Sequence, residues 1–326
     1  MAEDTRMPLL EHKPSETPVF TAANLLEAAR IRKGLPKVTV PAGCLLDFDG
    51  ELVQHLADTG WAVEDPAWPC FHTSLFRWRE GSAEYGVIGG TIGAPFAALV
   101  AEELFALGCH ALVSISSAGL VAERFAPPFF LLIDRALRDE GTSCHYLPPS
   151  RYADSDPSLI AAVLKRTERL SVPVHSGPSW TTDAPFRETE SLIASRRREG
   201  IVSVEMEAAA LLTLGKVLYK PVVCLAHITN TMATREEDFE KGGDAGLADS
   251  LSVCAAALEA ALDHAIRGTR VGPAERIPSF LPGESGLWGH SPRFRDLPAA
   301  CDVPLRARPL AAPHDAPRGP LPFALQ

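Results

Sequence analysis

Nothing in this 326-residue chain stays apolar for long enough to cross a bilayer as a helix. The longest such stretch, Phe125 to Ile133, contains Pro127 and Pro128 and falls short of the roughly 20 residues a membrane helix needs. The first thirty residues lack the pattern of a secretory signal, so a cytoplasmic protein without a membrane partner is the expectation. Paired cysteines are missing too. None of the seven (Cys44, Cys70, Cys109, Cys144, Cys224, Cys254, Cys301) forms a CxxC motif, and most sit among apolar neighbours. They read as buried, reduced thiols, and no metal site is expected. A basic surplus is also absent: the net charge is −10, which makes the chain a poor binder of nucleic-acid backbones. The single basic run, Arg196-Arg197-Arg198, reads as the solvated face of a helix. No internal repeat is visible. What remains is a globular composition suited to a small-molecule substrate.

Proline sets the organisation. Eleven of the 28 prolines follow Arg267, in less than a fifth of the chain. Residues 268–326 alternate Pro, Gly and Arg with isolated Leu and Phe, cannot bury enough apolar surface to offset ordering entropy, and read as a disordered tail or linker; a peptide that docks on a partner chain is the alternative. Residues 1–37 read as an N-terminal arm followed by a helix over Ala22 to Lys33, ended by Pro36. The body is then 38–267. Its first strand is expected at Val38-Thr-Val-Pro, with further strands at Tyr85 to Gly89, Ala111 to Ile115, Phe129 to Asp134 and Pro221 to Ile228. Helices are expected at Pro95 to Leu107, Asp156 to Leu170, Glu188 to Glu199, Glu207 to Leu218 and Asp249 to Ile266. Such alternation predicts an α/β fold: a single domain with a central mixed β-sheet flanked by helices.

Three motifs carry chemistry. Val204-Glu205-Met206-Glu207-Ala208-Ala209-Ala210 places two carboxylates around a methionine at the start of an alanine-rich segment. Glutamates at i and i+2 cannot share a helix face, so the pair belongs where strand or loop becomes helix, with one carboxylate free to enter a pocket. An acidic helix start favoured by the macrodipole is the plainer reading. Tyr85-Gly-Val-Ile-Gly-Gly-Thr-Ile-Gly-Ala-Pro runs a strand into glycines and then a helix, a turn whose amides can approach an anion. Ser114-Ile-Ser-Ser-Ala-Gly-Leu ends a second strand similarly. Two such turns suggest one polar crevice at the carboxyl edge of the sheet.

In this order the motifs resemble the nucleoside phosphorylase superfamily, in its branch of uridine phosphorylase, hexameric purine nucleoside phosphorylase and methylthioadenosine nucleosidase. The resemblance spans Val38 to Ile266. It rests on Gly90-Thr-Ile-Gly-Ala-Pro with Glu102-Glu-Leu, on Ser116-Ser-Ala-Gly119, on Arg138-Asp-Glu-Gly-Thr-Ser with Tyr146, on Thr181-Thr-Asp183-Ala-Pro-Phe186-Arg187, and above all on Glu205-Met206-Glu207. It implies that Glu205, Met206 and Glu207 bind ribose, with Glu207 stabilising the oxocarbenium charge of glycosidic cleavage and Met206 packing under the sugar. It implies a base pocket of Trp180, Asp183, Phe186, Arg187 and Asn230, with Phe186 or Trp180 stacking on the base; core packing is an equal reading for Trp180. Asn230 stands 23 residues beyond Glu207, where 6-aminopurine enzymes of the family carry an acid; the resemblance implies that it shares catalysis with Glu207 by hydrogen-bonding the leaving base, which points to uridine or a 6-oxopurine. His227 is either a substitute acid or a buried structural histidine.

The sequence departs from the family pattern at phosphate. The stretch taken as equivalent to the family's G-D-P-x-R loop, Val40 to Leu46, has no arginine, and Ser114 stands where a second arginine is usual. Arg77, which relatives lend across a dimer, remains with Gly90 and Ser117 as the phosphate-binding set. The expectation is a nucleoside phosphorylase with inorganic phosphate as co-substrate and no cofactor, assembled as a homo-oligomer built from dimers. Hydrolysis by water, or a degenerate nucleoside-binding protein, are the alternatives.

Overall fold

The computed structural model describes residues 7–11, 16–122, 124–229 and 246–270. The predicted tail therefore lies outside the described residues, apart from its first three positions. An 11-stranded sheet runs through the body. Its strands in chain order begin with β1 (Gly43–Asp47), β2 (Ala62–Glu64), β3 (Phe76–Glu80) and β4 (Ala83–Gly89). Next come β5 (Ala111–Ser117), β6 (Gly119–Leu120), β7 (Phe129–Asp139) and β8 (Tyr152–Asp154). The last are β9 (Val174–Thr182), β10 (Ser203–Glu205) and β11 (Val222–Ile228). The helices are α1 (Ala22–Lys33), α2 (Glu51–Asp58), α3 (Ala94–Ala106) and α4 (Pro157–Thr167), then α5 (Glu190–Arg198), α6 (Ala208–Leu218) and α7 (Leu247–Arg270). The predicted α/β class with a mixed sheet is what the chain forms.

Strand alternation divides the core. Leu46, Cys44, Ile88, Leu112 and Cys224 face one side, packed with α3 and α6. Leu45, Val87, Val113, Val223 and Leu225 face the other, packed with α2, α4 and α7. Because helices cover both faces, these strands are near-continuous apolar runs, which is why β5 and β11 are legible in the sequence. Helix limits follow local chemistry. Thr21 caps α1 through the Asn24 amide, and Gly34 ends it in the left-handed region at φ 66°. Asp156 accepts from the Ser158 and Leu159 amides to start α4, with Pro157 in the first turn. All six described cysteines are free thiols, five of them buried. Among the described residues no helix is long and apolar enough to cross a membrane.

The strand order is β2-β3-β4-β1-β5-β11-β7-β9-β10-β6, with β8 beside β7. β4, β1, β5 and β11 are mutually parallel, as are β7, β9 and β10, and the antiparallel contact of β11 with β7 joins the two blocks. β6 is separated from β5 only by Ala118, yet it pairs with β10 at the far end of the order. The sheet thus curls back on itself, and β5, β11, β7, β9 and β10 make a closed ring. That closure brings the end of β10 to the glycine turn after β4.

Two expectations change. Val38-Thr-Val-Pro is not a strand; the first strand starts at Gly43, after Pro41. Consequently the loop that meets the pocket is Phe48-Asp49-Gly50 and not the Val40 to Leu46 stretch, most of which is strand β1 or the approach to it.

Candidate active site

The site is assembled from strand ends. The Gly89-Gly90-Thr91-Ile92-Gly93 turn links β4 to α3, with Gly90 and Gly93 at φ 74° and 93°, values open to glycine at little cost. Gly93, at φ 93° and ψ 143°, aims its amide at Glu207, whose Oε1 accepts it at 2.7 Å, while Oε2 accepts the Met206 amide at 3.2 Å. Glu207 precedes α6 as its N-cap and is 3% exposed. Burial, then the neighbouring Glu205 carboxylate, pushes its pKa up to about 8, with Asp49 adding to the rise against the two amide bonds. Two carboxyls this close in a buried place cannot both ionise easily, and that repulsion adds to the effect of burial on Glu207.

Glu205 has a different office from the expected ribose contact. Its Oε1 accepts from the Thr181 hydroxyl at 2.6 Å and the Ser179 hydroxyl at 3.1 Å. Its Oε2 accepts the Glu207 and Ala208 amides at 2.7 and 2.6 Å. Burial raises its pKa despite these bonds. With both oxygens engaged, Glu205 caps the start of α6 and fixes the direction of Glu207. Both readings of the acidic pair therefore apply, one to each carboxylate. Met206 is half-buried between them.

The expected phosphate donors are spent within the chain. Gly90 gives its amide to the Asp47 carbonyl at 2.9 Å. Ser117 gives both amide and hydroxyl to Asp49 Oδ2, at 3.2 and 2.5 Å. Arg77, expected to serve a neighbouring subunit and not its own chain, reaches Asp65 at 2.8 Å, Glu84 at 2.9 Å and the Thr39 carbonyl at 2.8 Å from β3. The end of β1 and the loop after it supply two carboxylates, Asp47 and Asp49. Asp47, buried, accepts the Val53 amide at the start of α2 at 2.9 Å. Burial chiefly, and Asp49 beside it, raise Asp47 to about 6. Asp49, Glu51, Ser116, Ser117, His227 and Ser250 line a cleft of about 30 Å³, room for a water molecule. Sequence reasoning missed Asp47 and Asp49. Their signal was Asp-Phe-Asp-Gly directly after the apolar Cys44-Leu-Leu, a turn at a strand end.

The base-pocket residues divide. Trp180 is 1% exposed, packs with Leu137, Ile201 and Val204, and donates its indole N–H to Asp139 at 2.9 Å, so it is a core residue and not a stacking partner. Arg196 lies over its ring, and Arg197 donates to the Val121 carbonyl, which makes the basic run partly structural. Asp183 accepts the Gly141 amide at 2.9 Å, tying the 183–187 loop to the segment after β7. Phe186 is wholly exposed on the short helical turn Pro185–Arg187, and Arg187 is exposed beside it. His227 is buried, stacked on Phe130 with ring centroids 4.4 Å apart, and faces the cleft by Asp49. Asn230 lies outside the described residues. Among the described residues no group of three or more His, Cys, Asp or Glu side chains has the arrangement of a metal site.

A single sheet ring, a glycine turn at one strand end and a capped Glu-Met-Glu helix start define the class. The chain belongs to the phosphorylase superfamily, whose sequence model matches residues 42–267. Uridine phosphorylase of Thermococcus kodakarensis is 26% identical over 166 residues, 47% of this chain and 59% of that protein. A DeoD-type purine nucleoside phosphorylase of Colwellia psychrerythraea is 26% identical over 153 residues, 46% of this chain and 65% of that one. The chain thus spans less than two thirds of the length of these relatives. In fold it is similar to uridine phosphorylase of Vibrio fischeri, with a TM-score of 0.60 at 19% identity, covering 69% of this chain and 95% of that one. Purine nucleoside phosphorylase of Toxoplasma gondii, solved with immucillin-H, has the same TM-score at 18% identity, over 72% and 95%.

Proposed function

We propose that the protein cleaves the N-glycosidic bond of a nucleoside, with residues 38–267 as the catalytic unit. One observation carries the reading: the buried Glu207 carboxyl, held by the Gly93 amide where the glycine turn and the start of α6 meet. As the C1′–N bond breaks, its electron pair leaves with the base and positive charge develops on the ribose. An ionised Glu207 beside the ribose hydroxyls stabilises that charge, and a fixed carboxylate does so without reorganising. Phe186 offers a face for the base and Arg187 a donor for a base carbonyl. The acceptor that closes the C1′–O bond is inorganic phosphate in the first reading, which the family and the names of the relatives support, with uridine or a 6-oxopurine nucleoside as substrate. No metal or organic cofactor is required by this chemistry. A dimer-based homo-oligomer remains part of the proposal by resemblance.

A second reading is favoured by Asp49. It occupies both donors of Ser117, and its charge, next to Asp47 and Glu51, opposes a dianion. Water suits that cleft; its oxygen forms the C1′–O bond and its proton passes to Asp49. The deciding experiment follows base release from a nucleoside panel with and without phosphate, for the wild type and for Asp49→Asn. Phosphate-dependent release, with a lower phosphate KM in the variant, supports phosphorolysis. Phosphate-independent release that falls at least tenfold in the variant supports hydrolysis. No release from any nucleoside sinks both.

A further inference from the structure

A second cavity, of about 680 Å³, opens at the opposite ends of the elements that build the active site. α6 follows its N-cap Glu207 and runs to this cavity, which Lys216 of its last turn, its C-cap Tyr219 and the next residue Lys220 line; β11 begins there at Val222 and ends at the cleft by Asp49. The cavity falls within the roughly 300–1,000 Å³ that small-molecule sites occupy. Apolar walls come from Leu159, Leu212, Pro221 and Val222.

Its polar groups are unequally committed. Asp154 is paired with Arg135 at 2.7 Å, and Asp156 both caps α4 and faces His264 Nε2 at 3.5 Å. Lys216 and Lys220 have no carboxylate partner among the described residues; the Lys220 ammonium lies 5.9 Å from the centre of the Phe105 ring. Positive charge is therefore left over beside apolar wall. Tyr219 adds a conformational sign. It is the one non-glycine residue at positive φ among the described residues, at φ 53° and ψ 41°, and closes α6 where glycine would sit without strain. The residue is 66% exposed at the cavity rim, so burial in this chain does not hold it there.

We propose that this cavity binds an organic anion with an aromatic ring, the ring against Tyr219 and the apolar wall and the anionic group between Lys216 and Lys220. A phosphate ester and an aromatic carboxylate share that chemistry. The test is calorimetric titration of the full chain with uridine 5′-monophosphate and, in separate arms, benzoate, inorganic phosphate and uridine. We expect saturable binding of at least one of the two aromatic anions, weakened at least tenfold by Lys216→Glu/Lys220→Glu and unchanged by Glu207→Gln. Tyr219→Gly is expected to raise the melting temperature while lowering the affinity, a pair of opposite effects that a purely structural tyrosine would not give. The arms tell the sources apart: binding of the mononucleotide alone assigns a phosphate ester, of benzoate alone a carboxylate. Binding of neither aromatic anion, binding lost in Glu207→Gln, or binding indifferent to the lysine reversals overturns the proposal. Circular dichroism of each variant, expected to match the wild type, keeps misfolding apart from lost binding.

Discussion

Glu207 holds its proton in a pH range where an ordinary glutamic acid has lost it, and that one fact links activity with stability. If the ionised form stabilises the ribose cation, kcat/KM rises about tenfold per pH unit up to about 8 and then levels, which a pH–rate profile checks. Stability runs the other way. The native state keeps a proton that the unfolded chain releases from about pH 4.5 upward, so stability is lost as pH rises from there to about 8. Glu207→Gln removes both effects: kcat/KM falls about 10²–10³-fold, while the variant melts higher than the wild type at pH 8.5 and by less at pH 5. Each kcal/mol recovered is worth about 2–4 °C. A variant that keeps activity, or melts lower at pH 8.5, contradicts the assigned role. Glu205 illustrates why residue identity was read more surely than residue role. The motif announced two carboxylates, but which one caps the helix depends on Ser179 and Thr181, brought alongside by the pairing of β10 with β9.

Among the elements, the glycine turn is the most exacting. Gly90 and Gly93 both take positive φ, yet only the Gly93 amide meets Glu207. Gly93→Ala and Gly90→Ala should each cost about 1–3 kcal/mol for backbone strain at positive φ, with no further obstruction to a Cβ at Gly90 and only a 3.9 Å contact at Gly93. Base release should drop more than tenfold in Gly93→Ala and much less in Gly90→Ala; equal losses would separate the turn from catalysis. Elements with one strong local signal were legible: α4 from Asp156-Pro157-Ser158, α6 from its alanine run, β11 from an apolar stretch buried on both faces. β9 was not, because Gly177 and Pro178 interrupt it. The structure accommodates them at an irregularity, where β7 skips from Ile133 to Arg135 in the register, and the Pro178 carbonyl still accepts the Val202 amide at 2.9 Å. α2 escaped notice because its eight residues follow Gly50, which has no side chain to cap with, and the carboxyl that accepts the Val53 amide comes from Asp47, three residues before Gly50.

At the scale of the molecule, the carboxylate-lined cleft at Asp49 and the placing of Arg77 on β3 are separate features of one sheet. Arg77 holds the edge of the sheet through Asp65, whose carboxyl is nearly buried, and Glu84. Arg77→Met should therefore lower the melting temperature and leave the phosphate KM within about threefold, whereas a tenfold rise would mean that the arginine serves a neighbouring subunit's site. The class of fold was legible from alternation alone, but the ring was not, since it closes through the two-residue β6 and depends on partners far apart in sequence. That closure has a kinetic consequence. The Gly93–Glu207 bond joins positions 114 apart, so it forms only after most of the body has been ordered, and long-range contacts of this kind are late and slow. In a refolding chain labelled by hydrogen exchange, the Gly93 amide should gain protection after the amides of β1 and β5, which pair early along the chain's order. In the native protein the same amide should open whenever β6 lets go of β10. Competence for chemistry then becomes a built-in readout of whether the barrel is shut.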